Sequence, residues 1–115
     1  MSFFSDADVI FKYTSNQAVE DGILTDLFQI PSLRNSRINL ATTNLLQSKG
    51  YMNLEAGTVL TQNIRDLLIQ CLKKMSKTKD TFYNVSIEFP DGSRGKVFIA
   101  ENETGYFTVM LPEDN

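Results

Sequence analysis

The stretch from Thr58 to Met75 constrains the fold of this chain most, because its pattern is that of one long amphipathic helix. Apolar residues recur in it at intervals of three and four, which places them on one face of a helix. They are Leu60, Ile64, Leu67, Leu68, Cys71, Leu72 and Met75. A helix with one apolar face must bury that face against another element. The sequence therefore predicts a second layer, with Leu68 as a core residue.

The segment 81–111 supplies that layer, since it has the strongest strand pattern in the chain. Apolar and polar residues alternate over 83–89, which buries one face of a strand and exposes the other. Turn sequences at 90–93 and 102–105 make the strands at 96–100 and 106–111 consecutive hairpins. The predicted class is α+β. We expect an antiparallel sheet with a C-terminal three-stranded meander, covered on one face by the long helix and one or two short helices.

The first half of the chain predicts shorter elements within one domain, residues 1–115. Thr14 and Gln17 have the spacing of a capping box, which starts a helix, and Gly22 would end that helix. The predicted elements are a loose tail at 1–7, a strand at 9–13, a helix at 15–21, extended segments at 23–30 and 38–41, and a short helix ending at Ser48. Thr58 or Thr61 is expected to cap the long helix.

Composition excludes several function classes. The chain has 11 basic and 14 acidic residues, and this net charge of -3 opposes non-specific binding to nucleic acid. It has no histidine and one cysteine, which removes Ser-His and Cys-His pairs, an intrachain disulfide and a zinc site within one chain. Neither common nucleotide-binding fingerprint is present. With no membrane-spanning apolar run and no signal-peptide pattern at the N-terminus, we expect a cytoplasmic protein without membrane contact.

The candidate chemical sites are weak, and each has an ordinary structural explanation. Glu20, Asp21 and Asp26 surround Gly22 and carry the oxygen ligands that Ca²⁺ or Mg²⁺ takes. Acidic residues are equally ordinary in a turn and on a helix surface. Cys71 lies on the apolar face of the long helix, which predicts a buried and unreactive thiol. We assign no catalytic, cofactor-binding or metal-binding residue.

Two motifs at opposite ends of the chain resemble a known family. The first has the pattern YTxxQAxxDGxLxD, and the second is a strand followed by a Met-Leu-Pro-acidic tail, here residues 110–114. Together they resemble a small uncharacterised family of bacterial and archaeal proteins carried by plasmids and phages. The resemblance implies an accessory factor of a mobile element, for example in counter-defence, and assigns no activity. The matching residues of the first motif are Tyr13, Thr14, Gln17, Ala18, Asp21, Gly22, Leu24 and Asp26.

Two surfaces are candidates for binding a protein partner. Lys73, Lys74 and Lys77 give the end of the long helix a basic face, which is either simply solvated or meets an acidic partner. The last strand, with Tyr106, Thr108 and Met110, carries no charge. At a sheet edge it would dock a foreign strand or pair with a second copy into a homodimer. The alternative is a central strand, covered by the strand at 9–13.

Two function classes remain. The first is a small non-enzymatic factor that binds another protein, favoured by the missing catalytic residue types, the small size and the family resemblance. The second is an enzyme that uses the carboxylates around Gly22 to hold a metal or to process a small molecule.

Overall fold

The computed structural model of the chain describes residues 14–115. Its helices are α1 (Ser15–Glu20), α2 (Thr43–Ser48) and α3 (Thr61–Met75). Its strands are β1 (Leu24–Asp26), β2 (Ile38–Thr42), β3 (Met52–Asn53), β4 (Thr58–Val59), β5 (Phe82–Glu88), β6 (Arg94–Glu101) and β7 (Phe107–Met110). Short 3-10 turns occupy Leu27–Gln29, Pro31–Leu33 and Pro112–Asp114. The predicted tail at 1–7 and strand at 9–13 lie outside the described residues.

The main sheet has the strand order β1-β2-β7-β6-β5 within residues 14–115, and β3 pairs with β4 separately. Strand β6 pairs antiparallel with β5 and with β7, and β1 pairs antiparallel with β2, but β2 and β7 run parallel. Helices and a mixed sheet in one chain confirm the α+β class. The prediction of a wholly antiparallel sheet is wrong, because a strand from the first half of the chain lies alongside the last one.

Strand β7 is central, so the edge position at which it would dock a partner is excluded, and the strand beside it is β2, whereas the predicted covering strand at 9–13 lies outside the described residues. Thr108 pairs with Leu40 of β2 on one side and with Ala100 of β6 on the other. Of the predicted partner residues on this strand, Thr108 is buried and Met110 is half-buried. Tyr106 precedes β7 and packs edge to face against Phe28, with ring centroids 5.1 Å apart. Burial of most of its side chains explains why the strand lacks charge, and no binding partner is needed to explain it.

Helix α3 buries most of the face that the sequence predicts. Ile64, Leu67, Leu68, Cys71 and Met75 are buried on it, which confirms Leu68 as a core residue. They share one core cluster with the inward side chains of β5 and β6. No helix in the described part of the chain is long and apolar enough to cross a membrane.

The helix starts later than predicted. Thr58 and Val59 form β4, which pairs with β3, so the first helical residue is Thr61. The N-cap is Leu60, whose side chain makes no capping hydrogen bond, and neither predicted threonine caps the helix. Because Thr58 and Val59 pair with β3, their backbone groups are not available to begin the helix earlier.

Candidate interaction surface

The N-terminal motif builds the junction of α1 and β1. The backbone N–H of Gln17 donates to Thr14 Oγ1 at 3.2 Å, and the backbone N–H of Thr14 donates to Gln17 Oε1 at 3.1 Å. This completes the predicted capping box. Ala18 is buried, and Gly22 has a φ of +77°, the left-handed conformation that glycine adopts most readily. These motif residues therefore have structural roles, while Tyr13 lies outside the described residues.

The acidic residues of the motif are not grouped as a set of metal ligands within residues 14–115. Asp26 accepts a hydrogen bond from the Phe28 backbone N–H at 2.9 Å and from the Gln29 side chain at 3.3 Å. It thereby starts a 3-10 turn and ends the extended segment after three residues, shorter than the predicted 23–30. Among residues 14–115 no three Asp, Glu or Cys side chains are grouped so that they could hold a metal ion. Glu20 and Asp21 thus have no third ligand there.

The C-terminal motif fastens the end of the chain to the start of α2. The Thr42 hydroxyl donates to Asp114 Oδ2 at 2.7 Å, and the Asn44 side chain donates to Asp114 Oδ1 at 2.9 Å. The backbone N–H of Leu111 donates to the same carboxylate at 3.2 Å. Thr42 Oγ1 also accepts from the Leu45 backbone N–H, so one carboxylate orients the residue that caps α2.

Loss of this carboxylate should loosen the end of the chain. We expect Asp114→Ala to lower the free energy of unfolding by about 1–3 kcal/mol, because it removes the hydrogen bond from the buried Thr42 and those from Asn44 and the Leu111 backbone. Urea denaturation measures the change. The matched control is Glu113→Ala, since Glu113 is exposed on the same turn. Equal unfolding midpoints for the two variants would contradict this role of Asp114.

Cys71 is buried, as predicted, and burial raises the pKa of its thiol to about 12. At neutral pH the side chain is therefore a thiol rather than the thiolate that acts as a nucleophile. The residue serves as a small apolar side chain in the core cluster beneath α3.

Strand β5 is an outer strand of the sheet in the described part of the chain, and its edge carries no charge over 82–87. The Glu101 N–H donates to the Thr81 carbonyl, and the Phe89 N–H donates to the Ser93 carbonyl. Backbone direction alternates along an antiparallel strand, so the N–H and C=O groups of 82, 84, 86 and 88 point away from β6. The other outer strand, β1, has only three residues.

One end of this edge is closed by a side chain of α3. The Gln70 amide donates to the Glu88 carbonyl at 2.9 Å, and Gln70 Oε1 accepts from the Glu88 N–H at 2.8 Å. The amide thus occupies the place of a residue on a neighbouring strand. Beyond it, the outward backbone groups of Phe82, Asn84 and Ser86 have no strand partner among residues 14–115.

The outward face beside this edge is partly apolar. Phe82 is 41% exposed and packs against Phe98 with ring centroids 5.1 Å apart. Register places Phe98 next to Asn84 on one side and Met110 on the other, so these residues share a face. A strand added at β5 would find apolar side chains to pack against.

The structure separates the two predicted partner surfaces. Lys73 and Lys74 are exposed on the last turn of α3, and Lys77 and Lys79 are exposed in the connection to β5. Tyr83 holds that connection, because its hydroxyl donates to the Thr78 carbonyl and accepts from the Asp80 N–H, both at 2.9 Å. The lysines therefore adjoin β5, whereas β7 lies beyond β6.

Sequence reasoning missed the role of β5, although a signal was present. Residues 82–87 and 106–110 both lack charge. Only 83–88 also alternates between apolar and polar residues, the pattern of a strand with one wet face. The role of Gln70 had no sequence signal, because it depends on how α3 lies over the end of β5.

Comparisons of the chain with protein-family models, with curated proteins and with solved structures give no match. The resemblance to the mobile-element family therefore stays a prediction.

Proposed function

We propose that this chain is a non-enzymatic factor that binds another protein, and that the partner adds an extended segment to the free edge of β5. The outward backbone groups of Phe82, Asn84 and Ser86 carry the proposal. Unpaired N–H and C=O groups in a row are a template for one more strand. Natural edges are usually protected by charges or proline, and this one has neither before Glu88.

Gln70 closes one end of this edge and thereby limits the length of the strand that can be added. Because Gln70 satisfies the Glu88 backbone, an added strand can pair only with residues 82–86. A segment of about five residues makes main-chain hydrogen bonds there, and every second side chain packs on the outward face beside Phe82.

The charged residues near this edge indicate which kind of partner segment it would bind. The four lysines near the Phe82 end have no ion-pair partner in the part of the chain that the structure describes. Acidic residues in the added segment would meet them, and the attraction would weaken as salt screens it. We thus expect an acidic, extended segment of a partner protein. Membership of a mobile element, with a role such as counter-defence, remains part of this proposal on the family resemblance alone.

The edge can be blocked without breaking the sheet. Asn84→Pro removes an N–H that points away from β6, and proline is tolerated on edge strands for this reason. The matched control, Asn84→Ala, keeps that N–H. We immobilise the wild type and both variants and compare the proteins that each captures from a lysate of the source cells. At least one protein should be recovered with the wild type and Asn84→Ala, and about tenfold less with Asn84→Pro.

Three further measurements sharpen the result. Recovery should fall as salt rises, and neutralising Lys73 and Lys77 together to glutamine should reduce it. Light scattering gives the mass in solution, and a wild-type dimer that Asn84→Pro converts to a monomer would identify a second copy as the added strand. Equal capture by folded Asn84→Pro and the wild type, or no capture by the wild type, would show that the edge is not a docking site.

A further inference from the structure

A cleft of about 350 Å³ lies between α3 and the β5–β6 hairpin. Its lining includes three polar side chains of α3, the last residue of β5 and two aromatic residues. These residues are Tyr51, Asn63, Asp66, Gln70, Glu88 and Phe89. The cleft is separate from the free edge at 82–86, because Gln70 and Glu88 stand between the two.

Tyr51 brings a polar group to this cleft that the fold leaves unsatisfied. The residue is 1% exposed, and its hydroxyl has no hydrogen-bond partner among residues 14–115. Backbone hydrogen bonds to Leu46 and from Leu60 fix its position on both sides. Buried hydroxyls are nearly always paired, so an orphan at a cleft points to a partner from outside the chain.

The electrostatics of the cleft define that partner. Burial raises the pKa of Tyr51, and the nearby carboxylates of Asp66 and Asp91 raise it further, so the phenol stays neutral and can accept a hydrogen bond. Asp66 and Glu88 line the cleft, and no lysine or arginine does. The Gln70 amide is already bonded to the Glu88 backbone. The open groups are therefore mainly acceptors.

The charged residues beside the cleft do not cancel its acidic character. Asp91, in the turn beside the cleft, accepts from the Ser93 hydroxyl at 2.6 Å, and Lys49 lies close enough to help lower its pKa. The Lys49 ammonium also lies 5.2 Å from the centre of the Phe89 ring. The Phe89 ring, which is 5% exposed, therefore already carries a cation on one face and adds only an apolar wall to the cleft.

We propose that the cleft binds a guanidinium cation. Its planar set of N–H donors can serve the Asp66 carboxylate and the Tyr51 hydroxyl together. An ammonium has fewer donors, and they do not lie in one plane. The cation comes from a small guanidino compound or from an arginine side chain of a partner, and the chemistry is the same.

The test is an NMR titration of the ¹⁵N-labelled full chain with methylguanidinium. Methylurea is the matched control ligand, since it has nearly the same shape and no charge. We expect saturable shifts at Asp66, Gln70 and Glu88 with methylguanidinium only. Tyr51→Phe should weaken binding by about three- to tenfold, the effect of one hydrogen bond, and Asp66→Asn should weaken it similarly. Tyr106→Phe, at an exposed tyrosine, should not.

The outcomes separate the sources and can overturn the proposal. Tighter binding of an arginine-containing tripeptide than of methylguanidinium would assign the cation to a partner chain, and the reverse order to a small molecule. Equal shifts with methylurea, no saturation, or unchanged affinity in both Tyr51→Phe and Asp66→Asn would overturn it. If Tyr51→Phe does not fold, Asp66→Asn decides alone, because Asp66 is exposed. None of these measurements depends on strand addition at β5.

Discussion

Replacing Leu68 with alanine should lower the free energy of unfolding by roughly 2–5 kcal/mol. Leu68 is 3% exposed in the core cluster that joins α3 to the inward face of β5. Its loss removes buried apolar surface and leaves a cavity that the surrounding sheet cannot fully close. Urea denaturation followed by circular dichroism gives the change, with the slope of the transition as a check that the denatured state is the same.

The neighbouring residue provides the control for this substitution. Ile69 is 55% exposed, so Ile69→Ala on the same helical turn should change stability by no more than about 0.5 kcal/mol. A Leu68→Ala midpoint equal to that of Ile69→Ala would show that the apolar face of α3 is not buried where the fold places it.

Replacing Thr108 with lysine should destabilise the chain by roughly 3–5 kcal/mol, the cost of an unpaired buried charge. Thr108 is 7% exposed in the middle of the sheet, and its hydroxyl accepts from the Asn102 side chain at 3.0 Å. Neither β2 nor β6 offers an acidic side chain at the paired positions, Leu40 and Ala100. Thermal unfolding should show a strongly lowered midpoint or no folded state.

The control is the same substitution on the outer strand. Asn84 is exposed on β5, so Asn84→Lys should stay within about 0.5 kcal/mol of the wild type. Lysine at Thr108 tests the central position of β7 directly. A Thr108→Lys chain as stable as Asn84→Lys would return β7 to the edge and remove the case for β5.

Patterns between nearby residues predicted much of the fold. The apolar face of α3, the alternation along β5 and the capping box of Thr14 and Gln17 each depend on contacts within a few residues. The parallel pairing of β2 with β7 joins Ile38 to Phe107, and no local pattern encodes a contact over that separation. The same lack of charge fits an unprotected edge or a buried centre, so the sequence left open an edge position for β7, which is central.

The site residues that were missed are also those with long-range partners. Gln70 has an ordinary surface position on a helix, and only its contact with Glu88 makes it the residue that closes an edge. In the sequence Tyr51 counts as an apolar residue. Only the structure shows that its hydroxyl has no hydrogen-bond partner within residues 14–115. Both depend on where α3 rests against the sheet rather than on residue type or spacing.

The position of β7 also affects how the chain can fold during synthesis. Within the main sheet of residues 14–115, β7 alone connects the pair β1–β2 to the pair β6–β5. Of the strands in that sheet it is synthesised last, so the two pairs cannot be joined before it is made. Contacts of such sequence separation slow folding, and the waiting strands expose apolar edges that can aggregate. Completion of the sheet therefore requires insertion of β7, next to which the Asp114 carboxylate accepts the hydrogen bond from Thr42.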